Sequence, residues 1–101
     1  QQIDGPTVAV MNLGSLKDKF LSFGWDVLEM DGNNMDDLLK VMEQAKAATG
    51  KGKPVCILME TVMGKGVKFM EGTHEWHGIA PSDKQLEEAL NLLSTTTYGD
   101  Y

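Results

Sequence analysis

The chain has 101 residues, 42% of them hydrophobic, and a formal net charge of −6, enough for one small domain with a modest core and too apolar for wholesale disorder. All nine basic residues are lysines; an acidic chain without arginine lacks the bidentate guanidinium contacts that read phosphates and guanine, which argues against nucleic acid as a partner. Its longest apolar run, residues 55–59, is far too short to span a bilayer.

The first predicted helix covers residues 15–23, with Leu16, Phe20 and Phe23 on one face, Ser15 as N-cap and Gly24 just past the end. Residues 25–30 then read as a strand centred on Val27 and Leu28, and Asp31-Gly32-Asn33-Asn34 as a turn. A second helix is predicted over 35–48, with Leu38, Val41, Met42 and Ala45 on one face and Gly50 and Gly52 closing it. Residues 55–62 form the second predicted strand. Their continuous apolar character predicts burial on both faces, as in a parallel sheet covered by helices. Cys56 lies inside that run. A single cysteine excludes an internal disulfide and reads as a core residue; with no signal-peptide pattern visible, a cytoplasmic location is expected.

Strand, helix and strand in that order imply a right-handed crossover. A long loop over 63–81 follows, and Ser82 with Gln85 makes a capping box for a last helix carrying Leu86, Ala89, Leu90 and Leu93. The expected fold class is therefore α/β, a partial parallel sheet flanked by helices. Residues 1–93 form the ordered part, and residues 94–101 are expected to be a disordered tail. Two strands and short helices cannot cover both faces of residues 55–59, so the fragment is expected to dimerise.

The long loop concentrates the chemistry. Gly64-Lys65-Gly66 and Gly72-Thr73-His74-Glu75-Trp76-His77-Gly78 gather both histidines and four of the eleven glycines into fifteen residues. Glycine lets the backbone approach a ligand closely, lysine offers a point charge, and histidine moves protons near neutral pH. Such a combination suits a phosphate site, although the spacing matches no P-loop or dinucleotide fingerprint. Each residue also has a plainer reading. Lys65 reads equally as a solvated loop lysine, and His77 as a loop histidine bonded to a backbone carbonyl. Asp4, Glu29, Asp31 and Glu60 lack paired spacing and read as turns, caps and solvated positions. The seven methionines read as core filler.

Five segments in one order carry a family resemblance: Gln1-Gln2-Ile3-Asp4-Gly5-Pro6-Thr7, Phe23-Gly24-Trp25-Asp26-Val27, Asp31-Gly32, Met63-Gly64-Lys65-Gly66 and His74-Glu75-Trp76-His77-Gly78. The order resembles the thiamine-diphosphate-binding domain of transketolases, especially the split form whose first subunit carries this domain alone. Since the similarity begins in mid-motif at Gln1, the chain is expected to be the C-terminal portion of that domain. The resemblance implies a transferase of two-carbon ketol units between sugar phosphates, with thiamine diphosphate and magnesium or calcium as cofactors. It places His77 beside the diphosphate and the reacting substrate as a catalytic residue. It places Ile3 against the cofactor's ring system and His74 beside the same site. Lys65 is expected from its own chemistry to present its ammonium to a phosphate as a point charge, with Gly64 and Gly66 keeping that cofactor-binding loop thin; family members vary at position 65. Gln1 would give its backbone carbonyl to the metal.

The departures from the family pattern matter as much. The Gly-Asp-Gly segment with the metal aspartate, the asparagine before Gln1 and the pyrimidine-binding domain with its activating glutamate are all absent from this sequence. Ile79 stands where many relatives have lysine or alanine. The isolated chain is expected to be inactive and to need the remainder of the enzyme. Two alternatives stay open: a non-catalytic α/β interaction module that has kept the scaffold, and a fragment of a related enzyme such as deoxyxylulose phosphate synthase.

Overall fold

The computed structural model describes residues 3–93, so Gln1 and the expected tail at 94–101 lie outside the described residues. Two compact units divide the chain: Met11–Thr61 forms one, and Gln1–Val10 with Val62–Tyr101 the other.

The Met11–Thr61 unit is a strand-helix-strand arrangement preceded by a helix. A one-turn helix α1, Thr7–Val10, belongs to the other unit. Helix α2, Leu16–Ser22, starts where Ser15 Oγ accepts a hydrogen bond from the Asp18 N–H at 3.1 Å. It ends at Gly24, whose φ of +82° is the left-handed conformation that glycine adopts without strain. There the Gly24 N–H donates to the Leu21 carbonyl at 2.9 Å and the Trp25 N–H to the Phe20 carbonyl at 3.1 Å. This is the two-bond Schellman ending. Its apolar contact is present too: the Phe20 and Trp25 rings lie 5.3 Å apart. One glycine thus stops the helix and turns the chain into a strand.

Strand β1, Asp26–Asp31, pairs in parallel with β2, Val55–Glu60, in a register running from Asp26 opposite Val55 to Asp31 opposite Glu60. The crossover between them is α3, Met35–Ala48, the span expected from its periodicity. Asn34 caps it, its side-chain oxygen accepting from the Asp36 and Asp37 N–H groups at 3.0 and 3.1 Å. Asp36 and Asp37 also put negative charge at the positive end of the helix dipole. Asp37 then ties helix to sheet, accepting from the Asp31 N–H at 2.9 Å. Gly32 is held just as closely. Its N–H donates to the Glu60 carbonyl at 2.7 Å, and a Cβ there would come within 2.5 Å of Thr61 Cγ2. Both α2 and α3 pack on the two strands, and Met30, Val41 and Ala45 are the buried apolar residues of this unit.

Two expectations are adjusted. Strand β2 stops at Glu60 rather than at residue 62, because its pairing with β1 ends at Asp31 opposite Glu60, where β1 turns away at Gly32. Residues Val55–Leu58 are half-buried and Met59 is exposed, so the strand is covered less than its apolar run predicts. The same holds in the other unit for α4, Asp83–Leu92. Its capping box forms in both directions between Ser82 and Gln85. Of its apolar face only Ala89 is buried, while Leu86, Leu90 and Leu93 stay exposed. No helix among the described residues is long and apolar enough to cross a membrane.

Phe23, Met35 and Val8 are each more than two-thirds exposed, and among the described residues each strand has only one neighbour. Uncovered apolar patches beyond roughly a few hundred Å² are rare on soluble monomers, and open strand edges invite pairing. The 101-residue chain alone should therefore self-associate. Light scattering at micromolar concentration is expected to give at least a dimer's mass; a strictly monomeric folded species would contradict this.

Candidate functional site

The glycine-rich segment folds on itself within the second unit. The Lys65 N–H donates to the Val62 carbonyl at 3.3 Å and the Val67 N–H to the Gly64 carbonyl at 3.1 Å. Both the Met70 and Glu71 N–H groups return to the Val67 carbonyl, at 2.8 and 3.0 Å. The Gly72 N–H closes the ring onto the Met63 carbonyl at 2.9 Å. Val67, within this segment, is buried, 7% exposed. A short loop whose adjacent ends are joined by backbone hydrogen bonds is a preformed structure rather than a slack connection. Gly64 is where this packing is tightest: its φ is +69°, and a Cβ would lie 2.7 Å from both the Cβ and the carbonyl oxygen of Met70.

The ring already holds an anion. Glu71 Oε1 accepts a hydrogen bond from the Gly66 N–H at 3.0 Å and faces Lys65 Nζ at 3.6 Å. The Gly66 N–H bond and the nearby Lys65 and Lys68 charges together hold the Glu71 carboxyl below its ordinary range, against a smaller opposing effect of burial. Lys65 and the Gly66 N–H are therefore competent donors to an anionic oxygen. Here that oxygen comes from the chain itself.

Downstream, an aromatic pair positions the histidines. Trp76 Nε1 donates to the Phe69 carbonyl at 3.0 Å, and the two rings meet edge to face at 5.4 Å. This fixes a short 3-10 turn, Glu75–His77, in which the His77 N–H donates to the His74 carbonyl at 3.0 Å. His74 is partly buried beneath the turn's start and His77 is exposed at its end. The turn itself was not expected within the long loop.

Of the residues singled out from sequence, Gly64, Lys65 and Gly66 are brought into one ring, and His74 and His77 onto one turn. Ile3 enters neither; it precedes α1 and is 58% exposed. Gln1 lies outside the described residues. Among the described residues no group of three or more His, Cys, Asp or Glu is placed to hold a metal ion. Sequence reasoning missed Glu71 and the Phe69–Trp76 pair. The available signals were an acid placed six residues after Lys65, and two aromatic residues bracketing a glycine.

A family profile described as "Transketolase, thiamine diphosphate binding domain" matches residues 2–97. The chain is 43% identical over 93 residues to one of the subunits of an apulose-4-phosphate transketolase from Phocaeicola vulgatus, covering 92% of this chain and 32% of that protein. It is 40% identical over 92 residues to the 6-deoxy-6-sulfo-D-fructose transketolase subunit SqwG of Clostridium sp. strain MSTE9, covering 91% and 33%. A 1-deoxy-D-xylulose-5-phosphate synthase from Wolinella succinogenes is 40% identical over 62 residues, 60% of this chain and 10% of that protein. The chain thus spans about a third of the length of the first two relatives.

The ring geometry separates two glycines with the same φ of +69°. A Cβ at Gly72 meets nothing within 4 Å, whereas one at Gly64 collides with Met70 backbone. Gly72→Ala should cost only the left-handed strain, about 1–2 kcal/mol. Gly64→Ala should cost clearly more, read from denaturant midpoints of the two variants; equal losses would show that the Met70 contact yields freely.

Proposed function

The chain belongs to the thiamine diphosphate binding domain family of transketolases, and from that premise we propose that it is the later portion of this domain in an enzyme that transfers two-carbon ketol units between sugar phosphates. What supports the reading most directly is the loop at Gly64–Gly66, whose Lys65 ammonium and Gly66 N–H already hold a carboxylate. The donor chemistry that holds one anionic oxygen suits a phosphoryl oxygen equally well.

Thiamine diphosphate, when bound, supplies the carbanion chemistry that breaks and makes the carbon–carbon bond. This chain's residues bind and position. Gly64 and Gly66 keep the loop thin, and Lys65 offers its charge to the phosphates. His77, exposed at the end of its turn, stabilises negative charge on the substrate side and takes or returns a proton, the task to which imidazole is suited near neutral pH. His74 supports it from the start of the same turn, and Ile3 packs against the cofactor's ring system. A magnesium or calcium ion would take the Gln1 carbonyl; among the described residues no group of three or more His, Cys, Asp or Glu is placed to hold it.

Partners follow from the same reading: sugar phosphates as substrates, the remainder of the enzyme with its pyrimidine-binding domain, and a second copy to complete a homodimer in the cytoplasm. The named relatives that are transketolase subunits favour a split enzyme with a separate partner chain. A second reading, a deoxyxylulose phosphate synthase fragment, draws support from the shorter Wolinella match. The 43% identity over nine-tenths of the chain favours the transketolase.

In the complete enzyme, His77→Ala should cut turnover on the order of a hundredfold while leaving the melting temperature nearly unchanged. Near-normal turnover would return His77 to the role of an ordinary loop histidine. The 101-residue chain alone should bind thiamine diphosphate and magnesium weakly or not at all, since one carbonyl and a few donors cannot replace a metal carboxylate. Calorimetry with both ligands checks this, and affinity in the low micromolar range would contradict it.

A further inference from the structure

The contact between Glu71 and the Lys65-Gly66 pair is more than a surface ion pair. A lone exposed pair holds little, since each side chain trades it freely for water. Here the same carboxylate oxygen also takes a backbone N–H, and that N–H is presented by a glycine at φ +99°, which other residues rarely adopt. Glu71 itself is fixed at its base, because its own N–H and that of Gly72 complete the ring on Val67 and Met63. The backbone thus aims one donor and one ammonium at a single point, and an acid from the same ring fills it.

We propose that Glu71 is the loop's own counter-anion, holding Lys65 and the Gly66 N–H in place and yielding them to an incoming phosphoryl group. The proposal rests on the phosphate-binding reading of this loop. Displacement is easy on geometric grounds. The Glu71 side chain is 35% exposed and that of Lys65 55%, so Glu71 can swing into water without stranding a charge. A phosphoryl group brings more negative charge and more acceptor oxygens than a carboxylate, and takes both donors at once. Glu71 is therefore a positioning residue. It organises the donors before the ligand arrives and competes with it.

The test uses the complete protein and inorganic pyrophosphate. Glu71→Gln keeps a side-chain carbonyl for the Gly66 N–H but removes the charge, so pyrophosphate should bind about tenfold more tightly than to the wild type. Adding Lys65→Met to that variant should abolish the gain. Pyrophosphate affinity that is unchanged or weaker in Glu71→Gln overturns the proposal, and so does a failure of both proteins to bind it. In protein labelled with 15N-glycine, the Gly66 amide resonance should move as pyrophosphate binds; a resonance that stays put while pyrophosphate binds also overturns it. Parallel titrations with thiamine diphosphate and a phosphorylated ketose tell which source supplies the phosphoryl group. If Glu71→Gln tightens pyrophosphate while thiamine diphosphate fails to bind either protein, the counter-anion stands and the cofactor reading falls.

Discussion

Parallel pairing of Asp26–Asp31 with Val55–Glu60 imposes a constraint that a hairpin cannot meet, since the chain must travel back the full length of the strand before pairing again. Everything between the strands serves that return. Fourteen residues of α3 cover the distance, and the turn that launches the helix is fastened at three points. The Asn34 cap satisfies the first helical N–H groups, Asp37 reaches back to the Asp31 N–H, and Gly32 donates across to Glu60. The last bond matters most, because it locks the end of β1 to the end of β2 at the point where the helix begins. Register and helix start are thus set by one cluster.

The loop that follows in sequence solves a different problem. A segment that holds a carboxylate, as this one holds Glu71, must expose donors, yet an exposed, unpaired loop loses shape to conformational entropy. Residues 63–72 reconcile the two by closing on themselves through backbone hydrogen bonds while the Gly66 N–H still donates to a carboxylate. The downstream turn follows the same logic. Trp76 is secured to the Phe69 carbonyl and ring, which leaves His77, its neighbour, at the solvent-facing end.

Local rules wrote the elements plainly into the sequence. Helix α3 and the capping box of α4 follow from periodicity and from Ser82 and Gln85, and Gly24 announces its own role because only glycine is comfortable at φ +82°. The strand ends were less legible. Thr61 and Val62 have every intrinsic reason to continue a strand, and what stops them is that β1 has already turned away at Gly32. Within the site, Gly64, Lys65 and Gly66 were visible as a pattern, but Glu71 was not. Its pairing depends on the ring bringing residue 71 back to residue 66, a closure that the six-residue spacing from Lys65 does not fix by itself. Burial of the apolar faces was overestimated for a related reason: Leu86, Leu90 and Met59 are patterned for a core that the described residues do not close.

The identity of the basic residue at position 65 shapes what such a loop can do. An arginine there would meet Glu71 through two parallel hydrogen bonds in a fixed fork, an arrangement that favours a lasting pair. Lysine is a compact point charge on a flexible stem, and at 3.6 Å it lies beside the Glu71 oxygen rather than clasping it. The Gly66 N–H, by contrast, belongs to a backbone held by the ring's hydrogen bonds on either side. In the proposed exchange the two donors divide the work: the fixed one would define where an anionic oxygen sits, and the mobile one would follow the charge to whichever oxygen occupies that point. The nine basic residues are all lysines, and a lysine at position 65 suits the anion exchange proposed for this loop.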